Sequence, residues 1–270
     1  MLNLALMLTA TTALLAQAAP ANRATPKVAL DLNVECVSLL GTNFYRTPAE
    51  GEALEALERR LAEVNRNAQT QPDNPAAHMA LGQALEALWR YRNAAQAFTR
   101  AIALNPASAE AYTARANAFV VLRLFEQATA DLQHATAIDP TSYDAWYSLG
   151  LAQWFRGDFA AAAEAFAKAF NHGRDQQQEA DAGELNNIAA ARAGDESREV
   201  VLGGEPAKRA KDDAFTRYLE SLNTRVNDPE KATAVWKELA ALEDWTQLGV
   251  IAAEAELAAA AGSKKMRSAR

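Results

Sequence analysis

The stretch Leu81–Pro106 reads LGQALEALWRYRNAAQAFTRAIALNP, and its spacing decides the fold. It opens on Leu81-Gly82, carries Tyr91 and Phe98 between small residues, and closes on Pro106. Pro106 stands 34 residues after Pro72 and 34 before Pro140, and Gly82 stands two such steps before Gly150. Laid out at that interval, the chain gives three copies, beginning at Pro75, Ala109 and Tyr143. Asn74, Ser108 and Ser142 precede them, and each offers a side-chain oxygen to the unpaired amides of a helix's first turn. Pro75 suits the first helical position, where no donor is needed. Gly82, Ala116 and Gly150 keep one spot on a first helix small. Ala94, Ala128 and Ala162 do the same on a second helix, so the two helices of a hairpin can approach closely. Tyr91, Phe125 and Phe159 sit at the turn, Phe98, Leu132 and Phe166 project toward the core, and Ala101, Ala135 and Ala169 give the next close contact. Pro72, Pro106 and Pro140 prevent the second helix from continuing.

Small, aromatic and proline columns in this order, at a 34-residue step, resemble the tetratricopeptide repeat (TPR) family over residues 72–174. The resemblance implies an all-α fold, in which antiparallel helix pairs stack into a right-handed superhelical solenoid. The second copy departs from the pattern with Arg115-Ala116 where the others have Leu-Gly. The third ends in Asn171-His172-Gly173, so a glycine stop is expected there in place of proline.

The flanks read differently. Residues 1–19 carry no charged side chain; an apolar run from Leu2 to Leu15 is followed by Ala16-Gln17-Ala18, which fits a small-residue cleavage site. That is the pattern of a signal peptide, with a periplasmic or secreted mature chain; a mis-set start would leave the chain cytoplasmic. Residues 20–48 form a leader in which Val28, Leu30, Leu32, Val34 and Cys36 alternate as in a short strand. Residues 49–71 read as a capping helix with Leu54, Leu57, Leu61 and Val64 on one face. Residues 175–262 read as a degenerate repeat and capping helices. A helix over Gln176–Arg192 is followed by a break around Gly203-Gly204 and Pro206. A helix is then expected from Ala207 to Leu222. Asp228-Pro229 starts another that runs to about Ala241, in which Ala232, Trp236 and Leu239 keep the spacing of a second repeat helix. The last helix is expected from Trp245 to Ala261, stopping at Gly262, and residues 263–270 form a basic tail. The segments SLLGTNFYRTP (38–48) and DWTQLGVIAAEAELA (244–258) also resemble parts of exported bacterial TPR proteins.

The bulk composition narrows the chemistry. Half of the 270 residues are hydrophobic and the net charge is −7, which permits a large core and argues against non-specific nucleic-acid binding. No stretch after the leader approaches twenty apolar residues without a charge, so no membrane span is expected after signal removal. The one cysteine, Cys36, excludes an internal disulfide and a cysteine-based zinc cluster, but leaves a disulfide between two copies open. His78, His134 and His172 have no second ligand at metal-binding helical spacing. No phosphate loop, G-x-S-x-G elbow or H-E-x-x-H motif occurs. No catalytic residue, cofactor or metal is therefore assigned; an enzyme would need converging carboxylates, or Cys36 near a histidine.

The resemblance implies instead a concave groove walled by the first helix of each repeat. The columns that face it hold Met79, Gln83, Glu86, Glu110, Thr113, Asn117, Val120, Asp144, Tyr147, Leu151 and Trp154. The set contains no Lys or Arg. The family's clamp for acidic C-terminal peptides needs basic and amide side chains at columns that here hold Met79, Gln83, Ala114, Asp144 and Ser148, which disfavours such ligands. Tyr147 and Trp154 lie two helical turns apart on one face, as partner anchors or as packing against neighbouring repeats. The expected role is a non-catalytic scaffold for a protein or peptide partner. Binding would occur in the groove or, for an accessory subunit of a larger envelope complex, through the C-terminal helices.

Overall fold

The computed structural model describes residues 34–45, 51–194, 213–244 and 246–268, all within the compact unit that begins at Leu32. The expected signal peptide, most of the leader and the Gly203–Pro206 break lie outside the described residues. A hairpin of β1 (Val34–Val37) and β2 (Asn43–Tyr45) is followed by α1 (Gly51–Thr70). Six helices then form three pairs: α2 (Pro75–Glu86) with α3 (Tyr91–Leu104), α4 (Ala109–Val121) with α5 (Phe125–Ile138), and α6 (Tyr143–Arg156) with α7 (Phe159–Asn171). After them come α8 (Gln176–Arg192), α9 (Ala214–Asn227), α10 (Pro229–Ala240) and α11 (Leu248–Ser268). Each of α1 to α7 packs on its successor in the chain, as in a helical solenoid.

The repeated columns do what their chemistry dictates. Asn74 accepts the amide of Ala76, Ser108 that of Ala111 and Ser142 that of Ala145, so each first helix begins on a side-chain cap. A methyl group at Gly82 would lie 2.3 Å from the Phe98 ring, and one at Gly150 would lie 2.5 Å from the Phe166 ring. The second repeat solves the same contact with a different pair: Ala116 takes the glycine column and the smaller Leu132 the phenylalanine column, both fully buried. Its other departure is also compensated. Arg115, in the column of Leu81 and Leu149, makes a two-point ion pair at 2.7 Å with Asp131, in the column of Ala97 and Ala165.

The turns inside the three pairs share a left-handed residue in one column: Trp89 (φ 55°), Arg123 (φ 62°) and Gly157 (φ 84°). Glycine adopts this conformation freely, whereas other residues lose roughly 1–2 kcal/mol. At the first two turns side-chain contacts offset that loss. Trp89 packs against the cluster of Cys36, Phe44 and Leu122, and Arg123 is held in a buried ion pair.

Several expectations are corrected. The strand residue Cys36 pairs with Phe44, in a partner strand of three residues that is too short to show an alternating pattern. α7 does stop before Gly173, but Gly173 is not left-handed; a side chain there would lie 2.8 Å from Glu179 at the start of α8, so close approach is the reason for glycine. Of the helix expected over Ala207–Leu222, residues 207–212 lie outside the described residues; the helix begins at Ala214, capped by Asp213, which accepts the amides of Phe215 and Thr216, and runs past Leu222 to Asn227. The last helix does not stop at Gly262 but continues to Ser268, taking in most of the presumed basic tail. A lone glycine weakens a helix by about 1 kcal/mol and ends it only when the backbone turns left-handed there.

Candidate functional site

The first helices of the second and third repeats also touch one another, α4 against α6, along the expected inner wall. Along this wall Gln83, Glu110, Asn117 and Asp144 are exposed, and Met79, Glu86 and Tyr147 are half-buried. Thr113, Val120, Leu151 and Trp154 are buried. The Thr113 hydroxyl donates to the Ala109 carbonyl at 2.9 Å. Val120, Leu151 and Trp154 belong to one core cluster with Phe215, Tyr218 and Leu222 of α9 and Ile251 of α11. Trp154 is therefore a packing residue and not an open anchor. Tyr147 stacks on Tyr143 at 5.5 Å and meets Phe166 edge-on at 5.7 Å, so its ring is partly committed to the repeat.

The chain's own C-terminal helices thus cover one part of the expected trough, and a polar network pins them. The Trp154 indole donates to the Tyr218 hydroxyl at 3.0 Å, and that hydroxyl donates to Glu256 at 3.0 Å. Arg192 pairs with the same carboxylate at 2.5 Å while its guanidinium lies 3.8 Å from the centre of the Phe159 ring. A second clamp joins distant parts of the chain. Arg123 Nε and Nη2 donate to the two oxygens of Glu254 at 3.2 and 3.1 Å, and Arg123 Nη1 donates to the Val121 carbonyl at 2.6 Å. Glu254 also accepts the Leu39 amide at 3.3 Å, which brings the hairpin into the same junction. The Tyr91 hydroxyl lies close to Thr246 and Asp244, so the segment before α11 reaches the turn of the first repeat. None of these partners shares a local spacing with the other, and sequence reasoning passed over them. The recurring column of Trp89, Arg123 and Gly157 was the one visible signal.

Burial pushes the Glu86 carboxyl up to about 7, so near neutral pH it is partly protonated. Burial also pushes the Cys36 thiol up to about 11, and the side chain is 1% exposed. That closes Cys36 to a disulfide with a second copy in this fold. The cavity it lines brings no histidine to it. His78 bonds the Pro72 carbonyl at 2.9 Å, and His134 stacks on Tyr112 at 5.5 Å. Among the described residues no helix is long and apolar enough to cross a membrane.

Residues 75–108 and 113–179 each match a family model described as tetratricopeptide repeat, over the same helices whose caps and close contacts are set out above. Residues 75–108 and 113–179 are tetratricopeptide repeats. Repeats of this family form scaffolds for protein–protein interaction. The chain is 34% identical over 87 residues to the heat-shock protein cognate co-chaperone sgt12 of Aspergillus fumigatus, a match covering 32% of this chain and 26% of that protein. The chain thus spans about a quarter of that relative. Among solved structures it is similar to MamA, at 22% identity and a TM-score of 0.47, over 52% of this chain and 75% of that one. It is also similar to YrrB, described as a TPR protein with an unusual peptide-binding site, at 19% identity and a TM-score of 0.45, over 68% and 86% of the two chains.

Proposed function

We propose that this TPR protein is a non-catalytic scaffold of the bacterial envelope that binds an extended segment of a protein partner along the open part of its trough. The observation that carries this reading is the exposure of Gln83, Glu110, Asn117 and Asp144 on three consecutive first helices, with Met79 and Tyr147 half-open beside them. Gln83 and Asn117 occupy the same column one repeat apart and offer both donors and acceptors to a peptide backbone. Glu110 and Asp144 add acidic charge, so the ligand is basic or carries amides. Docking through the C-terminal helices has less support, because Ala232, Trp236, Leu239, Val250 and Ile251 are buried inside the chain itself.

The test is capture from an envelope extract with the purified chain, comparing wild type with Glu110→Lys/Asp144→Lys and Gln83→Ala/Asn117→Ala. A partner retained by wild type and lost by both variants, with unchanged circular dichroism, supports the trough. Equal retention by all three removes it. The envelope assignment rests on the pattern of residues 1–19. It is tested by fusing residues 1–30 to an alkaline phosphatase that is active only after export; an inactive fusion places the chain in the cytoplasm.

A further inference from the structure

Four of the six exposed large apolar side chains among the described residues are Val37, Leu39, Leu40 and Leu124. They come from the hairpin and from the turn of the second repeat, and the structure brings these parts together. The Leu39 amide bonds the Glu254 partner of Arg123, next to Leu124, and Val37 and Leu124 line one cavity. That cavity, of about 550 Å³, also has Cys36, Ala95, Phe119 and Leu122 in its wall, with Arg92, Gln96 and Thr99 as its polar members. Its volume is that of a ligand site. It lies along α3, a second helix, and shares no residue with the trough.

The polar members are not equivalent. The Thr99 hydroxyl is engaged: it donates to the Ala95 carbonyl at 2.8 Å and accepts from Arg115 at 3.0 Å. Arg92 Nε donates to the Glu35 carbonyl at 2.7 Å, and the Arg92 amide donates to the buried Glu35 carboxylate at 2.6 Å; together they hold the guanidinium at the cavity. Its two terminal nitrogens meet no acceptor among the described residues, and no carboxylate lines the cavity. An apolar hollow with a fixed, unpaired guanidinium fork is complementary to an apolar side chain beside a carboxylate. Clustered exposed apolar residues on a soluble surface mark such contacts.

We propose that this cavity is a second docking site, for a protein partner that inserts an apolar side chain among Val37, Phe119 and Leu124 and places an adjacent Asp or Glu on Arg92. The two surfaces then select by opposite charge: the trough presents Glu110 and Asp144, and the outer cavity presents the terminal nitrogens of Arg92, which meet no acceptor among the described residues. The proposal does not depend on the trough being used.

The experiment selects random dodecapeptides displayed on phage against the immobilised chain, and measures labelled synthetic winners by fluorescence anisotropy. The expected winners carry Asp or Glu within two residues of Leu, Ile or Phe. Their affinity falls at least about tenfold in Arg92→Ala and in Gln96→Glu, and is unchanged in Glu110→Lys. Gln96 is exposed, so Gln96→Glu adds a repelling carboxylate at the rim without touching the core, and its melting temperature is expected to stay at the wild-type value. The proposal is overturned if no peptide is enriched, if the winners lack an acidic residue, or if Glu110→Lys abolishes their binding. It is equally overturned if the wild type sediments as a dimer and Leu124→Asp as a monomer, which would give the patch to a second copy.

Discussion

Replacing Arg123 with Met leaves Glu254 as a carboxylate at 1% exposure with its bidentate partner gone. Three parts of the chain meet at this pair: the hairpin through the Leu39 amide, the second repeat through the turn that contains Arg123, and α11 through Glu254. The Arg123 guanidinium also lies 5.2 Å from the centre of the Phe44 ring, so the substitution loosens the hairpin as well. Breaking a buried ion pair from one side costs about 3–5 kcal/mol, because the remaining charge is neither solvated nor paired. For a domain of this size each kcal/mol lowers the melting temperature by about 2–4 °C, so a fall of roughly 6–20 °C is expected. Glu254→Leu alone should cost a similar amount. Arg123→Met/Glu254→Leu should cost far less than the sum, since replacing both charges with apolar groups of similar volume is often neutral. Arg123→Gly adds a separate reading: it loses the pair but relaxes the left-handed backbone at φ 62°, and should sit about 1 kcal/mol above Arg123→Ala. Urea denaturation followed by circular dichroism gives the four corners of the cycle. A coupling energy below about 0.5 kcal/mol would refute the reasoning, because the two side chains would then be acting independently.

Other perturbations follow from the same contacts. Gly82→Ala drives a methyl group toward Phe98 and should cost about 1–3 kcal/mol, while Gly82→Ala/Phe98→Leu, which copies the pair in the second repeat, should recover most of it in thermal melts. Arg115→Ala should destabilise by several kcal/mol through the unpaired Asp131, which is buried, whereas Arg115→Leu/Asp131→Ala, the pairing of the other two repeats, should be neutral or stabilising. Glu86 has a folded pKa of about 7 against 4.5 when free, so the folded chain holds the extra proton between those values. Its contribution is fully present below pH 4.5 and is lost as pH rises to about 7, on the order of 1–3 kcal/mol for this half-buried group. Melts of wild type and Glu86→Gln across pH 4–8 should converge at the acid end and separate at neutral pH, with the variant the more stable. Gly262→Ala should raise stability by about 0.5–1 kcal/mol, since Gly262 lies inside α11 with open space where the methyl group would go.

What was legible in the sequence is what repeats. Ser108, Ala116, Phe125, Leu132 and Pro106 each have a counterpart 34 residues away, and every such column answers to a local need: a cap, a close contact, a plug or a stop. The helices α2 to α7 followed from those needs. The filling of the trough did not. Trp154 lies 64 residues from Tyr218 and Arg123 lies 131 residues from Glu254, so nothing in the local spacing ties one partner to the other. Trp154 read equally as anchor or packing residue, and only the return of α9 decides it. Arg115 looked like an interruption because its compensating residue, Asp131, sits on the facing helix at a column that is alanine elsewhere. Gly262 misled for a different reason: a glycine's identity permits a helix stop, but the backbone beyond it determines whether one forms.

The C-terminal helices change what kind of ligand the scaffold can hold. A solenoid whose whole inner wall is open can bury apolar anchors deep in its groove, and such anchors dominate binding energy. Here Val120, Leu151 and Trp154 are buried in one core cluster with residues of α9 and α11, and Trp154 meets Tyr218 directly, so the deepest apolar contacts are intramolecular. What remains for a partner is mostly acids and amides, with two half-buried apolar side chains at Met79 and Tyr147. Contacts of that type give orientation and charge selection, and they are screened by salt because they stay near solvent. Binding along the trough should therefore be modest in strength and sensitive to ionic strength. A tight complex then requires a second point of attachment, because linking two weak contacts raises affinity through effective concentration without deepening either one. The outer cavity at Arg92, with its exposed apolar rim, supplies such a point on the same rigid stack.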